Sequence, residues 1–182
     1  MSDHKGFTLW MTGLSGSGKS TITEVLIDEF EERGLPLEVL DGDVVREHLS
    51  KGLGFSKEDR DTNIGRIAFV ADLLSRNGTP VITAAISPYR ETRDNARKLH
   101  DGHGTFIEVF VATSLEDCEE RDTKGLYAKA RSGEIKEFTG ISDPYEEPEN
   151  PDIRIETADK TPEDNAGEIL DYLESEGLIP AN

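Results

Sequence analysis

The sequence predicts an α/β fold, a five-stranded parallel sheet sandwiched by helices. Three observations carry this expectation. Short apolar runs of strand length alternate with stretches of helical period, strands and helices succeed one another as parallel pairing requires, and a glycine-rich turn joins the first strand to the first helix. At 182 residues the chain has the size of one domain, so residues 1–182 are read as a single domain with a mobile lid at about 122–151.

Residues 7–12 form the first strand, which ends at the stretch Gly13 to Gly18. A helix follows over residues 20–32, with Ile22, Val25, Leu26 and Phe30 on one face. Gly34 stops it, residues 37–40 make a short second strand, and Asp41-Gly42-Asp43 opens another helical segment to Leu49. Ser56 with Asp59 three residues later is a capping-box signature for a helix to about Arg76, whose apolar face is Ile64, Ile67, Ala68, Ala71 and Leu74. Residues 80–85 and 106–111 read as strands, flanked by helices at about 89–100 and 115–121. Residues 122–151 are rich in glycine, proline and charge, show no apolar stripe long enough to be core, and read as the mobile lid. Residues 153–156 form an edge strand. Residues 162–173 close the domain with Ala166, Ile169, Leu170 and Leu173 turned inward.

The charge balance narrows the partners. Thirty-eight acidic residues against twenty basic give −18, which argues against double-stranded nucleic acid or anionic lipid. Residues 142–182 hold 13 acidic and 2 basic residues, so −11 of that total lies in the last 41 positions. An anionic ligand can therefore bind the earlier part if its local groups are positive. No run approaches the roughly 20 apolar residues of a membrane span, and the first residues lack the apolar core of a secretion signal; the expectation is a soluble cytoplasmic protein with no membrane partner. Cys118 is the one cysteine, which excludes an intramolecular disulfide or a cysteine zinc cluster and leaves a small packing residue on a helix.

Gly13-Leu14-Ser15-Gly16-Ser17-Gly18-Lys19-Ser20 fits G-x-x-x-x-G-K-[ST] between an apolar strand and an amphipathic helix. Glycines let the backbone turn successive N–H groups toward an anion, and the helix offers its positive end to the same place. Lys19 can neutralise β- and γ-phosphates while the Ser20 hydroxyl ligates Mg²⁺. Nucleoside triphosphate binding follows. A guanine-reading Asn-Lys-x-Asp tetrapeptide does not occur, which excludes a GTPase switch of that type.

Asp41 and Asp43 follow the second strand, at the carboxyl edge where ligands of open α/β sheets bind. Two carboxylates there can divide the work, Asp41 orienting a water of the metal and Asp43 accepting the proton of an attacking hydroxyl. The other reading is a turn with a helix cap. Arg46, Arg60 and Asn63 can converge on an anion in the fork geometry that arginine supplies, or simply be solvated. Ile86 and Ser87 follow the third strand and can supply a loop that closes on the acceptor. Phe55 and Phe138 stand in polar loops, either as plugs in the core or as platforms for a base. The lid carries Lys124, Lys129, Arg131 and Lys136, with Arg121 just before it, the densest basic segment of an acidic chain.

Leu14 to Thr21, Asp41 to Arg46, Leu53-Gly54-Phe55-Ser56 with Asp59-Arg60, Asn63-Ile64, Ile86 to Arg90, and Lys124 to Tyr127 through Phe138 to Ile141 closely resemble the adenylylsulfate kinases, a family of P-loop kinases. The resemblance runs from about Trp10 to Pro148 and implies ATP-dependent phosphorylation of the 3′-hydroxyl of adenosine 5′-phosphosulfate, in sulfate assimilation or activation, with Mg²⁺. It implies Lys19, Asp43 and Ser87 as catalytic residues, and Gly13, Ser15, Gly16, Ser17, Gly18, Lys19, Ser20, Thr21 and Arg121 as the ATP site. Ser20 and Asp41 belong to the metal shell. Asp41, Asp43, Arg46, Phe55, Arg60, Asn63, Ile86, Ser87, Lys124, Leu126 and Phe138 make up the acceptor site, with Phe55 and Phe138 sandwiching its adenine. A covalent route through Ser87 is disfavoured against direct in-line transfer, because no histidine or other activating base neighbours it in sequence. A homodimer is the expectation, since related kinases commonly are. The chain departs from the family pattern at Gly65, where arginine is usual, at Ala112 for aspartate, and at Thr123 and Glu137 for a proline and a glycine. A kinase of another hydroxylated small molecule and a catalytically silent nucleotide sensor are the competing readings.

Overall fold

The computed structural model describes residues 5–182, apart from the side chain of Asp43. Five parallel strands, β1 (Phe7–Thr12), β2 (Glu38–Asp41), β3 (Val81–Ala84), β4 (Thr105–Val111) and β5 (Ile153–Ile155), lie in the order β2-β3-β1-β4-β5. Around them run α1 (Lys19–Glu32), α2 (Gly42–His48), α3 (Lys57–Ser75), α4 (Arg90–Leu99), α5 (Leu115–Arg121), α6 (Leu126–Arg131) and α7 (Pro162–Ser175). The expected sheet of five parallel strands between helices is what forms.

Alternation along β1 explains the layering, because successive side chains of a strand point to opposite faces. Phe7, Leu9 and Met11 join Ile22, Leu26 and Phe30 of α1 and Ala166, Ile169, Leu170 and Leu173 of α7 in one core. Trp10 turns the other way, into a second core with Ile64, Ile67 and Ala68 of α3, Ala96 of α4 and Val45 of α2. Every residue of β1 is buried, as a central strand covered on both faces must be. Leu74 of α3 is only partly buried, and the helix instead buries Asp72 and Ser75 near its end. Asp72 has its own partners, with His103 Nδ1 at 3.0 Å and Arg76 at 3.4 Å.

The 122–151 segment is more structured than its composition suggests. It contains α6, and beneath it Leu14, Cys118 and Tyr127 form a third buried cluster joined by Phe138, Ile141 and Tyr145. The expectation that nothing here is core is thereby corrected. These residues come from separated stretches of chain and meet only in the fold, so no periodic stripe announces them. Cys118, fully buried on α5, is the packing residue its sequence context indicated. Among the described residues no helix is long and apolar enough to cross a membrane.

Register sets the distance across the sheet edge. Asp41 pairs with Ala84 and Ala84 with Met11, so Asp41 lies two strands from β1, roughly 10 Å at the usual interstrand spacing.

Candidate active site

The turn after β1 closes tightly. A Cβ at Gly13 would stand 2.7 Å from the Val111 carbonyl oxygen and 2.8 Å from Ser17 Oγ, so only glycine fits there. Gly18 caps α1 at φ 111°, a conformation that side chains avoid. Lys19 lies buried inside the turn and donates to the carbonyls of Gly13 and Leu14, each at 2.8 Å, and to Ser17 Oγ at 3.4 Å. Burial lowers its pKa to about 8; Cys118 and Asp41 pull it up, and Lys124 pushes it further down. Ser20 and Thr21 sit exposed on the first turn of α1.

Two contacts found only in the fold hold this loop. Tyr127 of α6 donates from its hydroxyl to the Ser15 carbonyl at 2.7 Å, clipping the 122–151 segment onto the loop. Thr113 donates to the Ser17 carbonyl at 2.6 Å and accepts from the Thr157 hydroxyl at 2.6 Å. Neither Tyr127 nor Thr113 carries a sequence signal of such a role, since its partner is a backbone atom remote in the chain.

On the other side of the edge, Asp41 ends β2 and caps α2, its carboxylate accepting from the Gly42 N–H. The cap reading of this aspartate is what the structure shows, and its charge also acts on Lys19. Asp43 lies in the first turn of α2, and its side chain is outside the described residues. Arg46 is exposed and lays its guanidinium 5.4 Å from the centre of the Phe55 ring, which is 55% exposed. Phe138 is half-buried and meets Tyr127 edge to face with centroids 5.1 Å apart. Phe55 is exposed and Phe138 belongs to the apolar cluster under the segment, so the structure does not present the two as an open pair.

Arg60, in the first turn of α3, is committed to that segment. It donates to the Glu137 carbonyl and to Thr139 Oγ1 at 3.1 Å, and pairs with Asp143 at 3.0 Å. Phe138, flanked by these partners, is thereby drawn toward the helix start that follows Phe55. Asn63 accepts from the Ser50 hydroxyl at 2.5 Å, tying α3 to the end of α2. Leu126 opens α6, half-buried, and Lys124 precedes it in the open.

Ser87 departs from its expected catalytic place. It is 1% exposed, its Oγ accepts the Trp10 indole N–H at 3.1 Å, and its backbone sits at φ 42°. Thr12 donates to the neighbouring Ile86 carbonyl at 2.7 Å, and Arg93 of α4 donates to the Ser87 carbonyl at 2.6 Å. A hydroxyl in this position has no route to a phosphoryl group; the residue holds the loop that Ile86 lines. Arg93 itself is fully buried, pairs with Glu108 at 3.3 Å and donates to the Glu146 carbonyl, joining the acceptor loop to the end of the 122–151 segment. Burial pushes the Glu108 carboxyl up in pKa against the pull of Arg93.

Arg121 falls on a recess of about 200 Å³ beside the loop, together with Ser17, Gly18 and Thr21. The carboxyl edge of the sheet thus carries, after β1, an anion cradle with a buried lysine and exposed hydroxyls beside the recess, and, after β2, Asp41, Arg46 and Phe55.

Comparison with known proteins agrees with that arrangement. The family model described as adenylylsulphate kinase matches residues 5–156. An adenylyl-sulfate kinase of Rippkaea orientalis is 58% identical over 175 residues, covering 96% of this chain and 95% of the relative. One from Halothermothrix orenii is 52% identical over 179 residues, covering 98% and 95%. Among solved structures, the Mycobacterium tuberculosis APS kinase CysC in complex with AMPPNP and APS superposes with a TM-score of 0.90 at 50% identity, over 94% of this chain and 99% of that one. A gluconokinase from Sinorhizobium meliloti, at 20% identity and a TM-score of 0.62, shares the fold.

Proposed function

The chain belongs to the adenylylsulphate kinase family, and from that premise we propose that it transfers the γ-phosphoryl group of ATP to the 3′-hydroxyl of adenosine 5′-phosphosulfate, giving 3′-phosphoadenosine 5′-phosphosulfate and ADP for sulfate assimilation or activation. The observation that carries this reading is that Lys19, buried in its cradle after β1, and Asp41, two strands away on the same carboxyl edge, stand where Asp41 acts on the lysine's charge.

In the transfer the acceptor 3′-oxygen bonds to the γ-phosphorus as the bond to the β,γ-bridging oxygen breaks, and ADP leaves with that electron pair. The hydroxyl proton passes to Asp43 as general base. Positioning and charge neutralisation lower most of the barrier in such reactions, so a carboxylate of ordinary basicity suffices. Lys19 exchanges its carbonyl partners for the β- and γ-phosphate oxygens, and the backbone N–H groups of Gly16, Gly18 and Lys19 hold the same charge. Arg46 and Arg60 hold the phosphosulfate, Asn63 the ribose side, Phe55 and Phe138 the adenine, with Ile86, Lys124 and Leu126 completing the acceptor site. The donor set fits Mg²⁺: the exposed Ser20 hydroxyl and the Asp41 carboxylate are hard oxygens, few enough to leave room for waters and phosphate oxygens. Mg²⁺, when bound, neutralises charge on the β- and γ-phosphates. Residues 122–151 act as the lid, since Tyr127 ties them to the phosphate loop and Arg60 ties them to the start of α3.

Turnover with adenosine 5′-phosphosulfate beside ordinary nucleosides tests the substrate; an equal or better rate on a nucleoside overturns it. Asp43→Asn is expected to lose at least about 100-fold in kcat while ATP binding persists, and a near-normal rate removes Asp43 from its role. The reading places the enzyme in the cytoplasm as a homodimer. Phe69 on α3 and Leu99 on α4, 54% and 38% exposed, are apolar surface that a second copy would cover. Sedimentation at micromolar concentration showing only monomer would overturn the dimer.

A further inference from the structure

The loop after β3 and the end of the 122–151 segment meet over one buried cation. Arg93 of α4 is 1% exposed, and its side-chain nitrogens serve three separate stretches of chain. Nε faces Glu108 of β4 at 3.3 Å, one terminal nitrogen donates to the Ser87 carbonyl at 2.6 Å, and the other donates to the Glu146 carbonyl. A guanidinium serves three acceptors at once because its donors are fixed in one plane, which the compact ammonium of a lysine does not offer.

Joining the two segments does not by itself require that charge. They are already fastened by the Glu146 N–H on the Pro88 carbonyl at 2.8 Å, the Arg90 N–H on the Glu146 carboxylate at 3.1 Å and Arg90 Nε on the Glu147 carbonyl at 2.7 Å. What Arg93 adds is a hold on Ser87, whose backbone stands at φ 42°, a left-handed conformation that a serine keeps only where its surroundings over-determine it. Holding the Ser87 carbonyl sets the peptide plane after Ser87. The Thr12 hydroxyl sets the plane before it, donating to the Ile86 carbonyl at 2.7 Å. That donation uses the one proton of Thr12, so Tyr145 is the donor in the 2.8 Å bond between their hydroxyls. Thr12 is also the last residue of β1 before the phosphate turn. The loop is thus pinned on one side to the strand that carries the cradle and on the other to Arg93.

We infer that Arg93 is a positioning residue for the acceptor nucleotide: its fork, held between Glu108 and the end of the lid, fixes the left-handed turn at Ser87 and so the place of Ile86 in the acceptor site. This rests on the reading of the Ile86–Ser87 loop as part of the site for adenosine 5′-phosphosulfate. Being buried, Arg93 acts through that loop and not on the phosphate turn, so its loss falls on the acceptor and spares ATP.

Steady-state kinetics of the full chain, with KM read separately for ATP and for adenosine 5′-phosphosulfate, test this. Arg93→Lys keeps a positive charge beside Glu108 and loses the fork; it is expected to raise the acceptor KM about tenfold while kcat and the KM for ATP stay within about threefold. The double variant Arg93→Met with Glu108→Leu removes both buried charges together, so that neither is left unpaired, and is expected to show the same split. Glu108→Gln leaves the two carbonyl contacts in place and unpairs the guanidinium, so it should lower the denaturant midpoint with the acceptor KM within about threefold of the wild type. An acceptor KM that stays at the wild-type value in both variants lacking the fork, that rises in step with the KM for ATP, or that rises equally in Glu108→Gln would overturn the positioning role and leave the substrate standing. A wild type that turns over an ordinary nucleoside and not adenosine 5′-phosphosulfate would overturn the substrate reading and this inference with it.

Discussion

The guanidinium of Arg60 and the carboxylate of Asp143 lie 3.0 Å apart, joining the first turn of α3 to the 122–151 segment. The residue expected to hold the acceptor anion therefore also latches the segment that covers it. An incoming phosphosulfate must share or displace the latch, which couples acceptor binding to lid position. Arg60→Ala is expected to raise the acceptor KM by about 10–100-fold, the scale of one lost charge-assisted contact. Asp143→Asn should shift it by less than about threefold while speeding amide hydrogen exchange over residues 137–143. Exchange unchanged in both variants would refute the latch.

Lys19 makes the cradle sensitive to alkaline pH. Its pKa falls to about 8 because its ammonium is buried, whereas phosphate oxygens in the cradle restore the charge. Binding of ADP is thus expected to take up little proton through Lys19 at pH 7.5 and nearly one at pH 9, with affinity falling up to about tenfold per pH unit above 8. The ligand-free fold behaves oppositely: between about 8 and 10.5 the unfolded chain holds a proton that the folded chain has lost, so stability rises with pH across that window. Calorimetry of ADP binding in buffers of differing ionisation enthalpy measures the uptake. Equal uptake at both pH values, or uptake that survives Lys19→Met, removes the assignment.

Ser87 supports rather than reacts. Its hydroxyl accepts from Trp10 Nε1 in a fully buried site, so Ser87→Ala leaves an indole N–H unpaired and is expected to cost about 1–3 kcal/mol of stability. Turnover should stay within about tenfold of the wild type. Labelled phosphate trapped on Ser87 during turnover would contradict direct transfer.

Glu137 occupies a left-handed backbone position, φ 54°, where the family pattern usually has glycine. The contact it makes to Arg60 runs through its carbonyl and does not depend on the side chain. Glu137→Gly should therefore stabilise the fold by about 0.5–1 kcal/mol, the relief of left-handed strain less the freedom glycine gains when unfolded. Denaturant unfolding measures this, and a lowered midpoint would show that the Glu137 side chain contributes to the lid.

Much of the site was legible before any coordinates. Glycine spacing around Lys19 and the apolar period on both sides of it locate the cradle, and Asp41 follows a strand whose end must lie on the ligand edge. Gly65, the absent cation of the family pattern, meets no atom within 4 Å of a built Cβ, so its departure leaves packing undisturbed. What could not be read is how side chains are spent. Arg93 carries no sequence signal that sets it apart from the other charges of α4, yet it is buried on Glu108 and on two carbonyls. Phe138 stood in a polar loop and packs on Tyr127. Their partners lie far off in the chain, beyond the reach of spacing or period.

By itself the sequence determined the strand, turn and helix that bind phosphate, because glycine conformational freedom and a 3.6-residue apolar period act over a few neighbouring residues. Only the tertiary structure decided that Ser87 faces Trp10, that Arg60 holds Asp143, and that Tyr127 clips residues 122–151 onto the phosphate loop. Each of those states depends on which remote groups the sheet order and helix packing bring within a hydrogen bond's length, and no local rule contains that information.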